Sequence, residues 1–103
     1  MDRINKLREF LEANPHDAFV QHALALEYIK TGDDGAARQL FETILEREPG
    51  YVGSYYHLGK LLERAGDYEA AIIIYSNGMT EAGKANDRHA YNELQMAKEE
   101  IEE

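Results

Sequence analysis

Four histidines, seven tyrosines, twenty carboxylates and no cysteine are the chemically capable groups of this 103-residue chain. Without a thiol there is no cysteine nucleophile, no zinc-thiolate site and no disulfide framework, and nothing points to an oxidising compartment. His22 and His57 fall in separate helical stretches, and with a carboxylate partner they could hold a metal. No helix carries two ligands at i and i+4 around either of them, so the expected role of both is to face solvent or a partner. His89 and Glu93 do have the four-residue spacing, but on an exposed helix such a pair is a local contact. Ser54 and Ser76 have no histidine at a recognisable catalytic spacing, and no glycine-rich loop follows a strand, because no segment alternates with strand period. The expectation is therefore a chain with no catalytic residues, no metal and no cofactor.

Eleven basic side chains against twenty acidic ones give a net charge of −9. A phosphate surface would be repelled by that charge, which argues against nucleic acid and anionic membrane as partners. The excess is spread over both halves, as a solvated exterior requires, and a dense carboxylate surface is also what adaptation to high salt would produce. With 44% hydrophobic and 30% charged residues and two prolines, the composition is that of a folded helical protein. Asp2, Arg3, Lys6, Arg8, Glu9 and Glu12 interrupt the start too often for a signal peptide. The longest apolar run, Ala70 to Tyr75, is far below the roughly 20 residues that span a bilayer. A cytoplasmic location is expected.

Six helical stretches must position these groups. Residues 2 to 13 place Ile4, Leu7, Phe10 and Leu11 on one side, and Asn14-Pro15 ends the run. Asp17 caps a second helix that Gly32 stops near Thr31, and Asp33 or Asp34 caps a third reaching Glu48 before Pro49-Gly50. A fourth runs from about Val52 to Ala65, and a fifth, capped by Asp67, from Tyr68 to about Ala82. Gly83 to Asn86 reads as a loop, and Asp87 begins the last helix. Helices of this length on short connections are antiparallel neighbours, in a bundle or in a repeat array. Sliding the chain by 34 residues aligns Leu24 with Leu58, Gly32 with Gly66, Asp33 with Asp67, Ala36 with Ala70 and Ala37 with Ala71.

Tyr55-x2-Leu58-Gly59-x2-Leu62, the turn Gly66-Asp67 and Ala71-x3-Tyr75 resemble the tetratricopeptide repeat, as do Leu24-Ala25-x2-Tyr28, Gly32-Asp33, Ala37-x3-Phe41 and Pro49. Gln21 and Gly83 depart from the pattern, at positions where the family has an aromatic and a proline. The resemblance implies an all-α, right-handed α-solenoid of antiparallel helix pairs, forming one domain over residues 1–103. Its parts are a leading helix at 2–14, repeats at 17–50 and 51–85, and a capping helix at 86–103. Small Ala36, Ala37, Ala70 and Ala71 mark the helix crossings, beside Leu24, Tyr28, Phe41, Leu58 and Tyr75.

The helix from Asp17 to Thr31 carries two apolar stripes. Val20, Leu24 and Tyr28 form the core stripe, whereas Phe19, His22, Leu26 and Ile29 point elsewhere and need a second partner. In the family the first helices of each pair line a concave groove, and these residues fall where groove residues lie. Their counterparts after the 34-residue shift are Gly53, Tyr56, Lys60 and Glu63, with Arg64 beside them, and the last helix adds His89, Asn92 and Met96 if Tyr91 stands in register with Tyr55. The expected function is non-catalytic binding of a protein or peptide by Phe19, His22, Leu26, Ile29, Tyr56, Lys60 and Arg64, with the two cations selecting an acidic group. The rival is a self-associating unit, a possible homodimer, whose groove is filled by another copy. Too few Lys, Arg and Asn residues answer for the clamping of chaperone tails seen in some family members.

Overall fold

The computed structural model describes residues 2–102, which are helical apart from short connections. The chain divides into two compact units, the first ending at Glu48 and the second beginning at Pro49. In the first, α1 (Arg3–Ala13), α2 (Ala18–Lys30) and α3 (Asp34–Arg47) are each opened by an aspartate. The side chains of Asp2, Asp17 and Asp33 accept hydrogen bonds from the backbone N–H groups of Asn5, Val20 and Ala36, three residues on in each case. These bonds satisfy donors that a helix start leaves without an intrahelical partner.

Gly32 turns the chain from α2 into α3 with φ +84°. That left-handed conformation lets the N–H of Asp33 reach back to the carbonyl of Tyr28 at 2.8 Å, closing the helix end. The aspartate that follows the glycine then opens α3, so one dipeptide stops one helix and starts the next. Between them α2 and α3 bury Leu24, Ala25, Ala37, Phe41 and Ile44, while Val20 and Tyr28 of the core stripe are half-buried. Ala37 is fully buried and Ala36 only partly, so Ala37 marks the close crossing. Helix α1 packs on α2 without burying any side chain of its own fully.

The second unit comprises α4 (Gly53–Arg64), α5 (Tyr68–Lys84) and α6 (Arg88–Glu102), with α5 packed on both others. Two glycines set the spacing. A Cβ at Gly59 would stand 2.7 Å from Cδ1 of the fully buried Tyr75 and nearer still to Cε1, so only glycine admits that ring against α4. A Cβ at Gly78 would stand 2.7 Å from Tyr55 Cβ and 2.9 Å from Leu94 Cδ1, which brings α5 close to α4 and α6 together. Ala71 is fully buried and Ala70 only partly, as for Ala37 and Ala36.

The connection between α5 and α6 corrects the sequence expectation. Residues Gly83 and Lys84 continue the helix, and Asn86, with φ 58°, takes the left-handed position. The N–H of Asp87 reaches the carbonyl of Ala82 at 2.9 Å, and the Asp87 side chain caps α6 through the N–H of Ala90. This repeats the turn at Gly66-Asp67, where Asp67 N–H reaches Leu62 and its carboxylate caps α5 at Ala70. Asparagine tolerates the left-handed region because its short polar side chain bonds locally.

Candidate functional site

Each unit carries part of the expected surface. In the first, Phe19, His22 and Leu26 recur every three or four residues along α2, which sets them on one side. They share a shallow cleft of about 480 Å³ with Ala23, Glu27, Lys30 and Arg3 of α1. Phe19 is 74% exposed. His22 is half-buried and its ring meets Phe41 edge-on at 5.4 Å, so it rests on the core as well as facing the cleft. Ile29 is half-buried and lies outside this lining. Glu27 holds both cations of the cleft, with Arg3 Nε at 3.3 Å and Lys30 Nζ at 3.1 Å from its Oε2.

In the second unit, Tyr56 and Lys60 of α4 face α6 across a cleft of about 370 Å³ whose other walls are His89, Asn92, Glu93, Met96, Ala97 and Glu100. The structure thus brings Tyr56 and Lys60 together with His89, Asn92 and Met96. Arg64, exposed at the end of α4, does not line the cleft. Lys60 Nζ sits 5.5 Å from the Tyr56 ring centroid and 3.5 Å from Glu63 Oε2. Behind Glu63 the Tyr75 hydroxyl donates a hydrogen bond to the same carboxylate oxygen. Burial, and then that bond to Glu63, push the Tyr75 phenol far above its ordinary value. His57, next along α4, has its protonated form disfavoured by burial, against a weaker opposing pull from Glu93.

Sequence reasoning left Glu93 and Glu100 out of the site, reading Glu93 only as a local contact of His89. Their signal was present, since residues 89, 92, 93, 96 and 100 share one side of a helix. The expected pairing of Lys60 with an acidic ligand group meets a different balance, because Glu63 already neutralises the ammonium. Among the described residues no group of three or more His, Asp and Glu side chains is arranged to hold a metal ion. No helix among them is long and apolar enough to cross a membrane.

Antiparallel helix pairs turned at Gly-Asp, with alanine at the crossing and an aromatic four residues later, define an α-solenoid of the kind that mediates protein–protein interaction. Residues 28–97 match the tetratricopeptide repeat family, and the chain belongs to it. It is 42% identical to a tetratricopeptide repeat domain protein from Salinibacter ruber known by crystal structure, with a TM-score of 0.81 over 84% of this chain and 96% of that one. A TPR repeat-containing protein of Pseudomonas aeruginosa is 26% identical over 91 residues, 88% of this chain and 87% of its own length. A Fusarium oxysporum co-chaperone with tetratricopeptide repeats and a J domain is 35% identical over 72% of this chain, which spans only 13% of that protein. The TPR2B domain of yeast Sti1, solved in complex with pHsp70, has a TM-score of 0.88 at 16% identity over 96% of this chain and 79% of its own, and so shares the fold alone.

Proposed function

We propose that the chain is a non-catalytic binding module of the cytoplasm that holds a segment of another protein against Phe19, His22, Leu26 and Ile29 of α2 and against Tyr56, Lys60 and Arg64 of α4. We take residues 1–103 as one functional domain, with helix 2–14 leading, repeats at 17–50 and 51–85, and a cap at 86–103. The observation that carries the reading is the α4–α6 cleft, where Met96, 63% exposed, stands beside the Tyr56 ring in a space large enough for a side chain. Exposed apolar groups of this kind, rimmed by polar ones, are what a partner covers. The Sti1 domain, a relative in fold, is itself known bound to a protein ligand.

A second reading has its own support. Phe10 and Phe19 of the first unit are 47% and 74% exposed, and a second copy of the chain would cover them in a homodimer. Peptides selected on the immobilised protein from a random library test the first reading, and sedimentation over a range of concentrations tests the second. The first requires that selected peptides weaken on Tyr56→Ala or Leu26→Ala while the monomer persists. A concentration-dependent dimer abolished by Phe19→Asp, with no peptide recovered, would favour the second.

A further inference from the structure

The single ammonium of the α4–α6 cleft is already engaged within its own unit. Lys60 Nζ lies 3.5 Å from Glu63 Oε2 and 5.5 Å from the centre of the Tyr56 ring. Glu63 in turn accepts the hydroxyl of Tyr75, a side chain with no exposed surface. To release Lys60 for an acidic ligand, this carboxylate would have to stay uncompensated beside a buried phenol, or give up a charge-assisted hydrogen bond. Across the cleft, Glu93 and Glu100 of α6 line the same space. Both are exposed, and Glu93 also acts electrostatically on His57. Lys98 of α6 is paired with Glu102 at 3.8 Å.

Two carboxylates of α6 and one ammonium, itself paired with Glu63, therefore line the cleft together with Tyr56, Met96 and Ala97. An acidic side chain entering here would meet a lysine already paired with Glu63 and two further carboxylates. A guanidinium or ammonium on a long apolar stem would meet the reverse, since such stems lie along apolar surface while their heads seek charge. Resting on the peptide-binding reading above, we infer that this cleft receives a basic side chain, an arginine or lysine flanked by apolar residues in the partner segment. Tyr56 and Met96 take the stem, and Glu93 and Glu100 take the charge.

Two rhodamine-labelled octapeptides, identical except for a central arginine or glutamate between leucines, provide the probe, read by fluorescence anisotropy against the full chain. The arginine peptide is expected to bind about tenfold tighter, the size of two partly exposed charge contacts, with the preference shrinking as salt rises. Glu93→Gln with Glu100→Gln should abolish the preference while leaving the melting temperature within a few degrees, because both carboxylates are exposed and act on His57 and Tyr75 only as minor influences. Lys60→Gln should tighten the arginine peptide rather than weaken it. Equal binding of both peptides, lost on Tyr56→Ala, would overturn the basic preference yet leave the peptide-binding reading standing. Failure of both peptides to bind would overturn the two together, and a preference retained by the double variant would place the basic residue elsewhere.

Discussion

Replacing Gly59 by alanine tests the packing that holds the α4–α6 cleft in shape. The added methyl would stand 2.7 Å from Tyr75 Cδ1 and closer to Cε1, and three ring atoms lie inside the distance that a real Cβ keeps. The ring must then move as a body. Overpacking of this kind costs about 1–3 kcal/mol. Displacing the ring also disturbs the bond from its hydroxyl to the Glu63 carboxylate, of a class worth about 1.5–3 kcal/mol. Alanine returns up to about 1 kcal/mol through its better helix propensity. The net expectation is a loss of about 1.5–5 kcal/mol, and at about 4–8 °C per kcal/mol in a domain of this size the melting temperature should fall by at least about 6 °C. Gly83→Ala is the control, since a Cβ there meets nothing within 4 Å and the position is helical. Thermal melts followed by circular dichroism compare the two, and Tyr75→Leu in the Gly59→Ala background should restore part of the loss. If Gly59→Ala were as harmless as Gly83→Ala, the close approach of Tyr75 to α4 would be refuted.

Ala71→Leu and Ala37→Leu should each cost about 1–3 kcal/mol by overpacking fully buried crossings, and an unchanged denaturant midpoint for either would count against those crossings. Tyr75, protonated in the fold well beyond the usual phenol range, contributes stability that is complete below the unfolded value of 10.0 and is lost as pH rises above it. The Tyr75→Phe variant should lose less stability than the native chain between neutral and strongly alkaline pH, and absorbance at 295 nm showing every tyrosine ionising near pH 10 in the folded chain would contradict this. His57, kept neutral by burial, gives stability present above the unfolded value of 6.5 and reduced as pH falls through it. His57→Gln should therefore flatten the fall in melting temperature from pH 7.5 to pH 5.5, and an identical slope in the variant would argue against burial disfavouring the protonated imidazole.

The helix boundaries set by Asp17, Asp33, Asp67 and the glycine turns were legible because each is a local device whose residues sit within one turn of their targets. Ala37 and Ala71 were legible through the 34-residue shift. The turn at Asn86-Asp87 was not, because glycine is the usual left-handed residue and Gly83 lay nearby as a decoy. The role of Gly59 was visible only as a motif position, since the atom that forbids a side chain there belongs to Tyr75 on another helix. Most consequentially, Lys60 read as a free cation. Its partner Glu63 lies three residues on along α4, a spacing the sequence offers, but the Tyr75 hydroxyl bonded to that carboxylate and the α6 carboxylates that share the cleft come from other helices.

The most direct test of the central claim is a map of backbone amide shifts in the labelled chain on titration with a library-selected peptide. The largest changes should cluster on α2 near Phe19 and Leu26 and in the α4–α6 cleft at Tyr56, Lys60, Asn92 and Met96. Changes confined instead to the exposed side of α5, around Tyr68 and Ile73, with the cleft silent, would contradict it.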